Sequence, residues 1–185
     1  MIKVIAFDLV GVLVREKNLE MTPEEEKLER LFGPNKSDSD YLIEARKIIP
    51  KDVVVMRTTV NLLNNLYEVK DKELLPKLRK KYPDIKIVIA TNHLSRIRNY
   101  IGEALGVQNL DKIFISADIH KIKPNNDFYE EIINKMRCKP NEILFLDDNQ
   151  ENVDGAKACG LNTFKVNKEM NLFDEIDKWL HNNKL

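Results

Sequence analysis

The sequence predicts an α/β fold in which a mainly parallel sheet carries helices on both faces, with a small helical segment inserted after the first strand. Three observations lead there. Short apolar runs rich in Val, Ile and Phe recur at 4–7, 85–90, 113–115, 143–146 and 163–166, as strands buried on both sides do. From residue 85 onward these runs alternate with segments of helical period, which implies parallel strands joined by crossover helices. Between residues 15 and 70 the alternation stops, and helix signals fill the interval before a second strand is expected.

Taken in order, the run 4–7 ends at Asp8 and meets a turn containing Gly11. Thr22-Pro23-Glu24-Glu25 reads as a capping box with Pro at the first helical position, and Gly33-Pro34 is expected to stop that helix. Ser37 to Asp40 opens a second helix over 41–48. A third runs through Val60, Leu63, Leu66 and Tyr67, its start left open by the β-branched run 53–55. Residues 71–81 form the helix leading to the second strand, which requires Pro76 to lie in its first turn. Helical periods over 94–105, 128–136 and 153–159 separate the later strands, with Gly160 as the last C-cap. Leu172, Phe173, Ile176, Trp179 and Leu180 keep helical spacing and are expected to pack on the core. The expected division is a Rossmann-like core of residues 1–14 and 71–185 with a helical cap at 15–70. In such sheets ligands bind beyond the carboxyl ends of the strands, where Asp8, Thr91 and Asp147 fall.

At 185 residues the chain is long enough to bury a full core as one domain with an insertion. Its 30 Lys and Arg balance 30 Asp and Glu with no basic block, which argues against a nucleic-acid partner. No apolar stretch approaches the roughly 18 residues of a membrane span, and the chain enters its first strand directly, so a cytoplasmic protein is expected. Cys138 and Cys159 belong to no Cys/His cluster and read as ordinary thiols.

The chemistry rests on residues that are each unremarkable alone. An Asp ending a strand is usually a cap, and Asp147-Asp148-Asn149 also reads as a turn opening the next helix. Together, Asp8, Asp147 and Asp148 emerge at two strand ends, where their oxygens suit Mg²⁺, a hard ion that takes six oxygen ligands and keeps some of its water. Thr91-Asn92 places a hydroxyl and backbone N–H groups before a helix, a good setting for phosphate. Lys123, followed by Pro124, supplies a charge able to neutralise a phosphate.

This ordered set resembles the haloacid dehalogenase superfamily, with F-D-L-V-G-V, A-T-N, K-P and F-L-D-D-N-Q-E-N-V-D-G-A standing at its four motifs. The stretch 87–166 is most similar to the small phosphatases related to sugar-phosphate phosphatases and to the N-terminal domain of soluble epoxide hydrolase. The resemblance implies a Mg²⁺-dependent phosphohydrolase acting on a small phosphorylated substrate. Asp8 would be the nucleophile and form an aspartyl-phosphate. Asp8, Asp148 and the Val10 carbonyl would hold Mg²⁺, with Asp147 acting directly or through water. Thr91 and Lys123 would grip the phosphoryl group with Asn92 nearby, and the insertion would cover the site and choose the substrate.

Val10 departs from that pattern, because the family's phosphatases carry there a second Asp that protonates the leaving group and activates water. Losing a positioned acid or base costs about 10²- to 10⁴-fold in rate. Three accounts remain open: an impaired or specialised phosphatase, a dehalogenase, and a noncatalytic phosphate-, Mg²⁺- or partner-binding protein. Intact Asp147-Asp148 disfavours the second, since unneutralised carboxylates repel an anionic haloacid. His93 and His120 are the alternative proton sources, although a structural histidine is the commoner case. Arg46 and Arg57 of the insertion are as readily solvated as turned to the site.

Overall fold

The computed structural model describes residues 1–33, 37–168 and 170–183. Strands β1 (Val4–Phe7), β4 (Lys86–Thr91), β5 (Lys112–Ile115), β6 (Ile143–Asp147) and β7 (Asn162–Lys165) form one sheet in the order β5-β4-β1-β6-β7. All pairings are parallel, with Phe7 opposite Ile89 on one side and Leu146 on the other. Two apolar layers cover the sheet, and the period-two pattern of the strands assigns them. Ile5, Phe7, Ile89, Leu144 and Leu146 face α4 (Leu74–Lys81), α5 (Ile97–Leu105) and α9 (Leu172–Asn182), whereas Val4, Ala6, Val88 and Phe145 face α7 (Asn126–Met136) and α8 (Gln150–Ala158). The short α6 (Ser116–Ile119) follows β5 directly. Pro76 is the third residue of α4, in the first turn as the sequence requires.

The insertion contains α1 (Pro23–Glu29), α2 (Asp38–Ile48) and α3 (Asp52–Leu66). Thr22 and Ser37 each cap their helix through a complete capping box. Helix α1 ends sooner than expected, at Glu29 with Arg30 as its C-cap; the expected stop at Gly33-Pro34 includes Pro34, which lies outside the described residues. The β-branched run 53–55 is helical after all, because Val55 is fully buried and tertiary packing outweighs a small propensity penalty. The sequence also concealed a two-stranded antiparallel sheet. Strand β2 (Val14–Glu16) pairs antiparallel with β3 (Tyr67–Val69), so the insertion leaves and returns through a two-stranded stem rather than through helices alone. Three-residue strands are too short to show a period.

Candidate active site

Asp8 extends the β1 ladder by one residue, its N–H donating to Leu146 O at 2.8 Å, and then the chain turns tightly. Leu13 and Val14 N–H both return to Leu9 O at 2.9 Å, and Gly11 N–H reaches Val14 O at 2.8 Å. Gly11 adopts φ of 89°, and a Cβ there would stand 2.2 Å from Asp148 Oδ2. Both the backbone conformation and the approach of the second acidic loop therefore call for glycine.

Lys123 ties the strand ends together. Its ammonium donates to Asp8 Oδ1 at 2.8 Å and Asp147 Oδ2 at 2.7 Å, and it is 5.5 Å from the centre of the Phe145 ring. Burial pulls the Lys123 pKa down, but the two carboxylates outweigh it and hold the group charged. Asp8, itself buried, is pushed up to about 6 by desolvation and by Asp147, against the opposing pull of Lys123. Asp147 is completely enclosed and fully bonded. It also accepts from Asn149 N–H at 2.8 Å and from Asn152 Nδ2 at 3.1 Å to each oxygen. Asp148 is exposed, and its carboxylate has no hydrogen bond from a described residue.

Oxygens of Asp8, Asp147 and Asp148 lie within 4.8 Å of one another. The three carboxylates outnumber Lys123, the one ammonium that contacts them, with the Lys165 ammonium close by on Asp148 O, and their anionic oxygens could receive a divalent cation. The Val10 carbonyl accepts no hydrogen bond from a described residue, so it too is available as a ligand. The donor set is hard oxygen throughout and fits Mg²⁺.

The other residues singled out in the sequence divide between this cluster and the scaffold. Thr91 is buried at the end of β4, the strand beside β1. Asn92 clamps the Lys123 peptide, its Oδ1 accepting from Lys123 N–H and its Nδ2 donating to Lys123 O, both at 2.9 Å. The Val10 side chain is half-buried against the core. His93 is not poised toward Asp8: Leu94 N–H donates to its Nδ1 at 2.8 Å, Nε2 lies 3.0 Å from the Tyr67 hydroxyl, and burial lowers its pKa to about 4. His120 ends α6 in a left-handed conformation. Arg46 makes an exposed two-pronged pair with Asp52, and Arg57 is exposed. Sequence reasoning passed over Asn152, which the D-D-N-x-x-N spacing could have revealed, and Lys70, whose ammonium donates to Gly11 O at 2.9 Å and for which the sequence carries no signal. Gly155 was also missed; a Cβ there would meet Pro124 O at 2.5 Å, so it lets α8 press against the Lys123 loop.

The fold is thus that of an α/β protein with a parallel sheet, whose carboxyl edge gathers around a buried lysine an acidic cluster that could hold a metal ion. The chain belongs to the haloacid dehalogenase-like hydrolase family, whose model matches residues 5–166. It is 31% identical over 71 residues to the mouse protein Bifunctional epoxide hydrolase 2, a match covering 38% of this chain and 13% of that protein. It is 33% identical over 72 residues to (S)-2-haloacid dehalogenase 4A of Burkholderia cepacia, covering 37% of this chain and 31% of that one. The matched stretches thus span less than a third of either relative. A HAD family enzyme from Bacteroides thetaiotaomicron, solved in complex with magnesium and inorganic phosphate, superposes over 100% of both chains with a TM-score of 0.69 at 17% identity, a likeness of fold. Among the described residues no helix is long and apolar enough to cross a membrane.

Proposed function

We propose that the chain is a Mg²⁺-assisted phosphohydrolase of a small phosphorylated molecule, impaired at one proton-transfer position. The observation that carries this reading is the Lys123 ammonium held between Asp8 and Asp147, beside the free carboxylate of Asp148. An Asp8 oxygen attacks phosphorus as the bond to the leaving oxygen breaks, and the electron pair departs with that oxygen. The resulting aspartyl-phosphate is hydrolysed by water, releasing phosphate and restoring Asp8. Lys123 and Thr91 hold the phosphoryl oxygens, while Asn92 fixes the Lys123 backbone and Asp147 its ammonium. Asp8, Asp148 and the Val10 carbonyl would hold Mg²⁺, which when bound neutralises charge on the phosphoryl group. Residues 15–70 serve as the cap that selects the substrate, in a cytoplasmic protein. The magnesium and phosphate in the Bacteroides enzyme support the assignment by analogy of fold.

Val10 donates no proton, so an alkoxide leaving group departs poorly and acyl or enol phosphates are favoured. The same residue supports the second reading, a phosphate- or Mg²⁺-binding protein with little turnover. Phosphate release from phosphomonoesters and acyl phosphates, with and without Mg²⁺, separates the two. Val10→Asp is expected to raise phosphomonoester turnover by about 10²-fold or more, and adding Asp8→Asn to abolish it. Inactivity of both Val10 forms across the panel would favour the binding reading. Fast Asp8-dependent turnover by the unaltered chain would show that another residue moves the proton.

A further inference from the structure

A second concavity lies where α2 and α3 meet the connection from β4 to α5. Asp38, Leu63, Asn64, Ser95, Arg96 and Asn99 form part of the wall of a cavity of about 320 Å³. Its charged groups are unequally satisfied. Asp38 Oδ1 accepts the Ser95 N–H at 3.0 Å, and Asp118, also on the wall, is paired with Arg98. Arg96 has neither a hydrogen bond nor an ion pair with any described residue, Asp38 included, and its Nε is shut off from water without an acceptor. The Asn64 and Asn99 side-chain amides likewise bond to no described residue. A guanidinium is always charged and presents a planar fork of donors, and leaving such donors unmatched is unfavourable. Asp38 and Asp118 offset the wall's charge as a whole, but neither carboxylate reaches Arg96, whose guanidinium donors are left for an acceptor from outside the chain.

We propose that this cavity is a binding site for the carboxylate or phosphate group of a small molecule. Arg96 is the charge partner, through its terminal N–H groups, with the Asn64 and Asn99 amides as further donors. Leu63 and Val60 give the occupant's carbon body an apolar side. The anion has two possible sources: a second charged group on the molecule processed at Asp8, or a free anion. The site itself does not depend on the phosphohydrolase reading, since binding is measurable without turnover.

The test is a titration of the ¹⁵N-labelled chain with succinate in the absence of Mg²⁺, following amide shifts. Saturable shifts at Asn64, Ser95, Arg96 and Asn99 are expected. Arg96→Gln should weaken binding at least tenfold, with Arg96→Lys intermediate and Asn99→Ala weaker than the parent. The Tm of Arg96→Gln should equal or exceed the parent's, because an unpaired charge is removed. Shifts confined to Asp8 and Lys123, unchanged affinity in Arg96→Gln, or a lowered Tm with unchanged affinity would each overturn the proposal, the last by showing a purely structural arginine. Two phosphomonoesters differing by one carboxylate then identify the source. Loss of kcat/KM in Arg96→Gln for the carboxylated ester alone points to the substrate's own group. Succinate binding that leaves turnover of both esters uncompeted points to a free anion. Either result sustains the site.

Discussion

His93 shows how one residue can satisfy a sequence argument and still have another role. Two positions past Thr91 it could have replaced the proton donor that Val10 lacks, yet its ring stands between Phe32 and Tyr67 with both nitrogens engaged. The Leu94 N–H occupies Nδ1, so the neutral ring carries its proton on Nε2 and donates it to the Tyr67 oxygen. Burial lowers the pKa from 6.5 to about 4, so between those values the unfolded chain binds more protons than the folded one. The stabilisation is complete above about pH 6.5 and is lost as pH falls toward 4, in total about 3 kcal/mol at 1.36 kcal/mol per unit. Asp8 has the opposite sign: its raised pKa contributes stability below about 3.8 that disappears as pH rises through about 6. Comparing the parent with His93→Gln cancels the Asp8 effect. Urea unfolding at pH 7 and pH 4.5 should show a steeper loss for the parent than for the variant; parallel losses would refute a buried neutral His93.

At the scale of elements, the cluster depends on contacts that local propensity does not encode. Helix α8 carries Gly155 in its interior, where Ala would ordinarily be favoured by about 1 kcal/mol. Here a Cβ would press on Pro124 O at 2.5 Å, so Gly155→Ala is expected to destabilise the protein and move Lys123. A rise in Tm would contradict that packing. Asn92→Ala removes both bonds to the Lys123 peptide, and the expected cost is about 1–3 kcal/mol in stability with a larger proportional fall in turnover than in substrate affinity. Thermal melts together with kcat and KM measured separately decide it. These two positions also mark the limit of legibility. That Asp8, Asp147 and Asp148 share one edge of the sheet was readable because apolar runs mark the strand ends they follow, whereas Lys123, in the loop before α7, reaches them only through the fold. That Asn92 clamps a backbone and Gly155 admits a loop follows from contacts 31 residues away in both cases, by the difference of their numbers from 123 and 124, and no local pattern records such separations.

For the whole molecule, the helix signals at 15–70 interrupt the strand alternation and mark an insertion into the core. Its packing is continuous with that core. Leu28, Tyr41, Ala45, Val55, Leu62 and Leu63 of the insertion belong to the same apolar cluster as Ile5 and Phe7 of β1 and Leu74 of α4. The Asp38–Ser95 bond and the contacts of Phe32 and Tyr67 with His93 tie the helices further to the end of β4. Helices α1 to α3 thus lack a core that closes on itself, which an independently stable unit requires. Large hinged opening of the cap would expose that shared surface, so access to Asp8 is expected through small sliding of packed helices. Calorimetry tests this directly. One transition with equal calorimetric and van't Hoff enthalpies is expected, and an isolated peptide of residues 17–66 should not fold. Two resolved transitions, the smaller one matching the peptide, would instead establish an autonomous cap able to swing away from the sheet.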